Sequence, residues 1–116
     1  MVEDDPVMLS LLTTYLELEG FEVVKYRATD TSHEDILNTL RREKPEGLVM
    51  DVNLEHVDGL EVLRKIKQEE DLKKIRIVMY SGMDVAYQAK KAGADDFIMK
   101  PFMPGDLLAK INRLMF

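Results

Sequence analysis

Leu48-Val49-Met50-Asp51 limits what this chain can become more than any other stretch: an apolar run of strand length that closes on a single carboxylate. It follows Lys44-Pro45 and Gly47 and contains a β-branched residue, which reads as a strand buried on both faces, as in a parallel sheet. Asp51 then stands where the strand opens into a loop, and open α/β sheets bind their ligands at that carboxyl edge. Other runs repeat the arrangement. Glu3-Asp4-Asp5 follows Met1-Val2, Ser81 follows Ile77-Val78-Met79-Tyr80, and Lys100-Pro101 follows Phe97-Ile98-Met99. Each run ends on polar residues able to act on a phosphoryl group.

Segments of helical period separate the runs. Met8, Leu11, Leu12, Tyr15 and Leu16 recur at helical spacing up to Gly20, a natural left-handed cap, and predict a first helix with those residues inward. A second strand is expected from Phe21 to about Tyr26, and residues 29–32 read as a polar loop. Ser32 with Asp35 resembles a capping box opening a helix through Ile36, Leu37 and Leu40, which Pro45 ends. Asp58-Gly59 opens a third helix carrying Leu60, Leu63 and Ile66 inward, and a fourth with Val85, Ala86 and Ala89 closes at Gly93. Pro104 starts the last, with Leu107, Leu108, Ile111, Leu114 and Met115 on one face. Strand and helix thus alternate five times, which predicts an α/β, doubly wound parallel sheet with helices on both faces.

At 116 residues the chain is the size of one domain, residues 1–116, with the apolar fraction (46%) and charged fraction (33%) of a globular protein. No apolar stretch approaches bilayer length, so no membrane association is expected. A net charge of -6 argues against nucleic acid as a direct partner, which would need a clustered basic face. The absence of cysteine fits a reducing, cytoplasmic setting. The eight methionines read as gap-filling core, and His33 and His56 as surface residues.

Glu3, Asp4 and Asp51 would meet at the ends of neighbouring strands, and three close carboxylates repel one another unless a cation or a proton intervenes. All-oxygen ligation suits Mg²⁺. Asp51 can itself attack phosphorus to form an acyl phosphate, Lys100 supplies positive charge opposite, and the Ser81 hydroxyl can bond a phosphoryl oxygen. Singly, each feature has a plainer reading: helix-capping charge for Glu3-Asp4-Asp5, a solvated loop lysine, a Ser-Gly turn and a core Phe97. Their joint occurrence at successive strand ends favours the chemical reading.

Val2-Glu3-Asp4-Asp5-Pro6, Met50-Asp51-Val52-Asn53, Asp58-Gly59, Tyr80-Ser81-Gly82 and the run from Ala92 to Phe102 together resemble the receiver domain of two-component response regulators. The resemblance implies a flavodoxin-like five-stranded sheet of order 2-1-3-4-5. It also implies Asp51 as phosphoacceptor, Glu3 and Asp4 as the acidic pair holding Mg²⁺, and Asn53 as a backbone-carbonyl ligand. Ser81 and Lys100 match the phosphate-sensing hydroxyl and lysine, and Phe97 the aromatic switch position. The implied phosphoryl donor is a sensor histidine kinase or a phosphotransfer protein. A homodimer through helix 4, strand 5 and helix 5 is a further possibility it raises. Catalysis would extend only to the domain's own aspartyl phosphorylation and dephosphorylation.

The chain departs from the pattern at Leu54-Glu55, where the family usually has Met-Pro, and in a short spacing from Ser81 to Lys100, which predicts a fourth helix that is short or partly unwound. Two other readings stand beside the receiver. One is a phosphorylation-independent interaction module on the same fold, disfavoured because no site residue is missing. The other is an aspartyl-nucleophile hydrolase, disfavoured because Asn53 stands where a second acid would be needed. The Lys100-Pro101 bond is expected to be cis, to aim the lysine into the site. With only Met1-Val2 before the acidic pair, the first strand reads as truncated. It is expected to be completed by upstream residues, rather than by exchange between chains.

Overall fold

The computed structural model describes residues 1–28, 32–54 and 57–115. Strands and helices alternate among them: β1 (Val2–Glu3), α1 (Pro6–Leu18), β2 (Tyr26–Arg27), α2 (His33–Glu43), β3 (Gly47–Asp51), α3 (Gly59–Gln68), β4 (Arg76–Ser81), α4 (Ala86–Ala92), β5 (Asp96–Met99) and α5 (Pro104–Met115). Every neighbouring pair of strands is parallel, as the alternation of strand and helix predicts, and the order is β2-β1-β3-β4-β5, as the resemblance implies. None of these helices is long and apolar enough to cross a membrane.

Side chains of a strand alternate between faces, and here the alternation sorts two cores. Leu48, Met50, Ile77, Met79 and Phe97 point to one side, where they pack with Ile36, Leu37 and Leu40 of α2 and Val62, Leu63 and Ile66 of α3. Val49, Val78, Tyr80 and Ile98 point to the other, against Leu12 and Leu16 of α1 and Leu107 and Ile111 of α5. With both faces covered, the polar ends of the strands become the accessible working edge.

Local chemistry sets the helix ends. The Asp5 carboxylate accepts from the amides of Val7 (3.0 Å) and Met8 (3.4 Å) and caps α1. Ser32 and Asp35 form the expected capping box at α2. Asp58 accepts from the Leu60 amide at 2.9 Å and starts α3. Gly93, at φ 115°, ends α4, whose seven residues make it the short helix that the spacing predicted.

Three expectations need correction. The buried face of α1 runs through Leu9, Leu12, Thr13 and Leu16, while Leu11 is 57% exposed, because the sheet lies a fraction of a turn from the face that the sequence pattern favoured. The second strand is laddered only at Tyr26 and Arg27, which pair with Val2 and Glu3, and residues 21–25 have no strand in register beside them. The methionines divide: Met50 and Met79 are fully buried, whereas Met83, Met99 and Met103 are exposed. His33 is the first residue of α2 and half-buried. His56, Glu55 and most of the polar loop at 29–32 lie outside the described residues.

Asp96 ties the edge of the sheet to α5. Its carboxylate, nearly buried at the start of β5, accepts from Lys110 Nζ at 3.3 Å, from Arg113, and from the Phe97 amide at 2.8 Å. Burial works against its charge, but the Phe97 amide and then Arg113 and Lys110 outweigh it and hold the carboxyl below the usual range. A carboxylate with a depressed folded pKa stabilises above its unfolded pKa, and the contribution is lost as pH falls through the folded value. Asp96→Asn is therefore expected to cost about 2 kcal/mol at neutral pH and almost nothing in strong acid. Urea unfolding of both chains at the two pH extremes checks this, and an equal gap at both would count against it.

Candidate functional site

The carboxyl ends of β1, β3, β4 and β5 bring Glu3, Asp51, Ser81 and Lys100 to one place. Asp51 ends β3 and is 4% exposed; Glu3 and Ser81 are fully buried. Lys100 Nζ stands 3.0 Å from Asp51 Oδ2 and 4.0 Å from Glu3 Oε1, so one ammonium faces two buried carboxylates. The Lys100 amide donates to the Ser81 carbonyl at 2.7 Å, which ties the end of β5 to the end of β4. The Lys100-Pro101 peptide is cis, as expected.

Hydrogen bonds pin the remaining groups. Glu3 Oε2 accepts from the amides of Asp4 (2.8 Å) and Asp5 (3.1 Å), and Oε1 accepts from the Tyr80 hydroxyl. The Asn53 amide donates to Asp51 Oδ1 at 2.9 Å, which turns the loop after β3 back over the carboxylate. Asn53 Nδ2 and the Met83 amide donate to Ser81 Oγ at 2.9 and 3.1 Å. With its acceptor positions occupied, the Ser81 hydroxyl retains its proton for a further acceptor.

Electrostatically the site is short of positive charge. Glu3, Asp4 and Asp51 each offer a carboxylate oxygen, all within 4.8 Å of one another, and among the described residues Lys100 is the cation paired with them. Burial, then hydrogen bonding to Glu3 and repulsion from Glu3 and Asp51, push the Asp4 carboxyl up to about 6. Asp51 is also raised, by burial and by Glu3, although the Asn53 amide and Lys100 hold it back. Burial opposes the charge on Glu3, but the Tyr80 hydroxyl, Asp4, the Asp5 amide and Lys100 together bring its carboxyl below the usual range. Ionising Asp4 and Asp51 beside Glu3 is thus disfavoured, which is the condition a divalent cation relieves. The all-oxygen donor set fits Mg²⁺.

Phe97 lies apart from this polar cluster. It is buried beside Met79, its register partner, in the core that also holds Ala89 and Ala94. Leu54, at which the chain departs from the pattern it resembles, is buried in the same core.

One participant was not singled out in the sequence, and another was singled out only for its backbone carbonyl. Tyr80 reads there as one more core residue, yet its hydroxyl reaches Glu3; the available signal was a polar-tipped ring one place before Ser81 on a strand ending at the site. The Asn53 side chain, rather than only its backbone, engages Ser81.

Comparison with known proteins bears on the family and the fold. The profile of the response regulator receiver domain matches residues 1–112. The chain is 30% identical over 116 residues to the transcriptional regulatory protein PrrA of Mycobacterium tuberculosis, covering 99% of this chain and 48% of that protein. It is 30% identical over 118 residues to the alkaline phosphatase synthesis transcriptional regulatory protein PhoP of Bacillus subtilis, covering 99% and 47%. The chain thus spans about half the length of the curated relatives it matches. Among solved structures, a response regulator signal receiver domain from Bermanella marisrubri superposes with a TM-score of 0.87 at 29% identity, covering 99% of this chain and 94% of that one. The BeF3-activated receiver domain of Klebsiella pneumoniae RstA gives 0.81 at 27% identity, covering 97% and 92%. A profile running through residues 1–112, on a sheet of the order that the strands form here, places the chain among its relatives: it belongs to the response regulator receiver domain family.

Proposed function

We propose that residues 1–116 act as one phosphorylation-controlled receiver unit in which Asp51 accepts a phosphoryl group. The observation that carries the reading is Lys100 Nζ at 3.0 Å from a nearly buried Asp51 carboxylate, with the Ser81 hydroxyl held beside it through Asn53. In the transfer, the bond from phosphorus to the donor's imidazole nitrogen breaks with its electron pair staying on nitrogen. A bond from an Asp51 carboxylate oxygen to phosphorus forms. Glu3, Asp4, Asp51 and the Asn53 carbonyl would hold Mg²⁺, whose charge offsets that of the carboxylates and the phosphoryl oxygens.

Lys100 stays close to the transferred group, because its charge is needed by whichever anion Asp51 carries. Ser81 donates its proton to a phosphoryl oxygen, and that new bond biases a two-state equilibrium that Phe97 reads from the core. The donor is a sensor histidine kinase or a phosphotransfer protein in the cytoplasm. The output face comprises α4, β5 and α5, through which two copies would pair, and nucleic acid is not a direct partner. The unit catalyses only its own phosphorylation and dephosphorylation.

Acetyl phosphate with Mg²⁺, followed by intact-mass measurement, tests the proposal. One phosphoryl adduct per chain is expected, with none when EDTA replaces the metal. No adduct under any condition, or equal yield in EDTA, would refute it.

A further inference from the structure

Tyr80 touches both halves of the site, and nothing in its strand position alone requires this. In the β3–β4 ladder Tyr80 is the register partner of Asp51, and its fully buried ring projects into the α1 and α5 side of the sheet. From there the hydroxyl donates to Glu3 Oε1, while Lys100 Nζ lies over the ring, 4.9 Å from its centroid. Phe102 packs edge-on against the ring, with centroids 5.8 Å apart and planes at 73°. A strand core residue needs neither a carboxylate partner nor a cation on its face.

We infer that Tyr80 is a positioning residue of the phosphoacceptor site: its hydroxyl fixes the Glu3 carboxylate for the metal, and its ring seats the Lys100 ammonium between Glu3 and Asp51. The inference rests on the proposed reading of Glu3, Asp51 and Lys100. The chemistry follows from the donors. The two amides hold Glu3 Oε2, and the Tyr80 hydroxyl donates to Oε1, from which Lys100 Nζ stands 4.0 Å away. A carboxylate with one loose oxygen is free to rotate or to draw Lys100 away from Asp51. Cation–ring attraction holds the ammonium without consuming an oxygen that a metal or phosphoryl group needs.

Tyr80→Phe removes the hydroxyl and keeps the ring. Calorimetric titration with Mg²⁺ is expected to show Kd raised about tenfold, the scale at which partners of metal-binding side chains act. Phosphoryl uptake from acetyl phosphate should return to within about twofold of the parent rate at saturating Mg²⁺, because a bound metal fixes the Glu3 carboxylate again and the retained ring still seats Lys100. A structural defect would not be rescued in this way. In the parent chain, the Lys100 ε-methylene protons should resonate upfield of those of the other lysines, as protons above a ring face do. An Mg²⁺ Kd in Tyr80→Phe equal to the parent's, a rate that saturating Mg²⁺ does not restore, or unshifted Lys100 protons would each overturn the assignment. A parent chain that bound no Mg²⁺ would instead overturn the reading of the site on which it rests.

Discussion

Asp51→Asn is expected to take up no phosphoryl group from acetyl phosphate and yet, in the absence of metal, to be more stable than the parent chain. Loss of uptake follows from the chemistry, since an amide is not a nucleophile toward phosphorus and no other carboxylate of the cluster is paired with both Lys100 and the Asn53 amide. The gain in stability follows from the sign of the pKa shift. Burial and Glu3 raise the Asp51 carboxyl, so above that raised value the folded state bears the cost of a charge it disfavours. Asparagine has the same shape without the charge, and Lys100 keeps Glu3 4.0 Å away as a partner. A gain of about 1 kcal/mol at neutral pH is expected, the usual size of stabilisation when a functional group is removed from a strained site. It should shrink as pH falls and Asp51 of the parent protonates. Intact mass and thermal unfolding in EDTA measure the two effects. An adduct on the variant at the parent's yield would defeat the phosphoacceptor assignment. A lower midpoint would mean that the Lys100 pair outweighs repulsion within the cluster.

Gly59→Ala is expected to destabilise the fold by about 3 kcal/mol or more, the upper end for overpacking a site that cannot yield. A Cβ at this position would lie 2.4 Å from the Asp51 carbonyl oxygen, 2.8 Å from the Val52 carbonyl oxygen and 2.9 Å from Val52 Cα. All three are backbone atoms, so no side chain can swing aside. The contact is close because the Gly59 amide donates to the Val52 carbonyl at 2.8 Å, drawing the start of α3 onto the end of β3. Moving α3 outward would strip Val62, Leu63 and Ile66 from the core, and moving the loop would displace Asp51 and the Asn53 amide. Folded Gly59→Ala molecules should therefore also accept phosphoryl groups slowly. Urea unfolding is the measurement, and a variant within about 1 kcal/mol of the parent would show that the loop relaxes at little cost.

Much of this was legible in the order of residues. The strand ends at Asp51, Ser81 and Lys100 could be located because a short apolar run and the polar residue closing it are local features, and chain direction in a parallel sheet puts all such ends on one edge. The capping box at Ser32 and the left-handed stop at Gly93 were legible for the same reason: both are satisfied within a few residues. The assignment of Glu3 and Asp4 to the same cluster as Asp51 needed only the strand order.

Contacts between distant residues decided the rest. Periodicity shows that α1 has an apolar face but not which residue meets the sheet, and Leu11 against Leu9 is settled by where β1, β3 and α5 lie. Residues 21–25 have strand composition, yet ladder bonds need a neighbour in register, and only Tyr26 and Arg27 have one. The exposure of Met83, Met99 and Met103 follows from the surface on which their segments run, which hydrophobicity alone does not report. Tyr80 is the sharpest case. Its neighbours in sequence make it a core residue, and it becomes part of the site only because the β3–β4 register sets it beside Asp51 while β1 brings a buried Glu3 within reach of its hydroxyl. The sequence by itself determined which elements form and which edge carries the chemistry, because those depend on interactions within a few residues. Tertiary structure alone decided which face each element buries and which side chains share a charge, because those depend on residues as far apart as Glu3 and Tyr80.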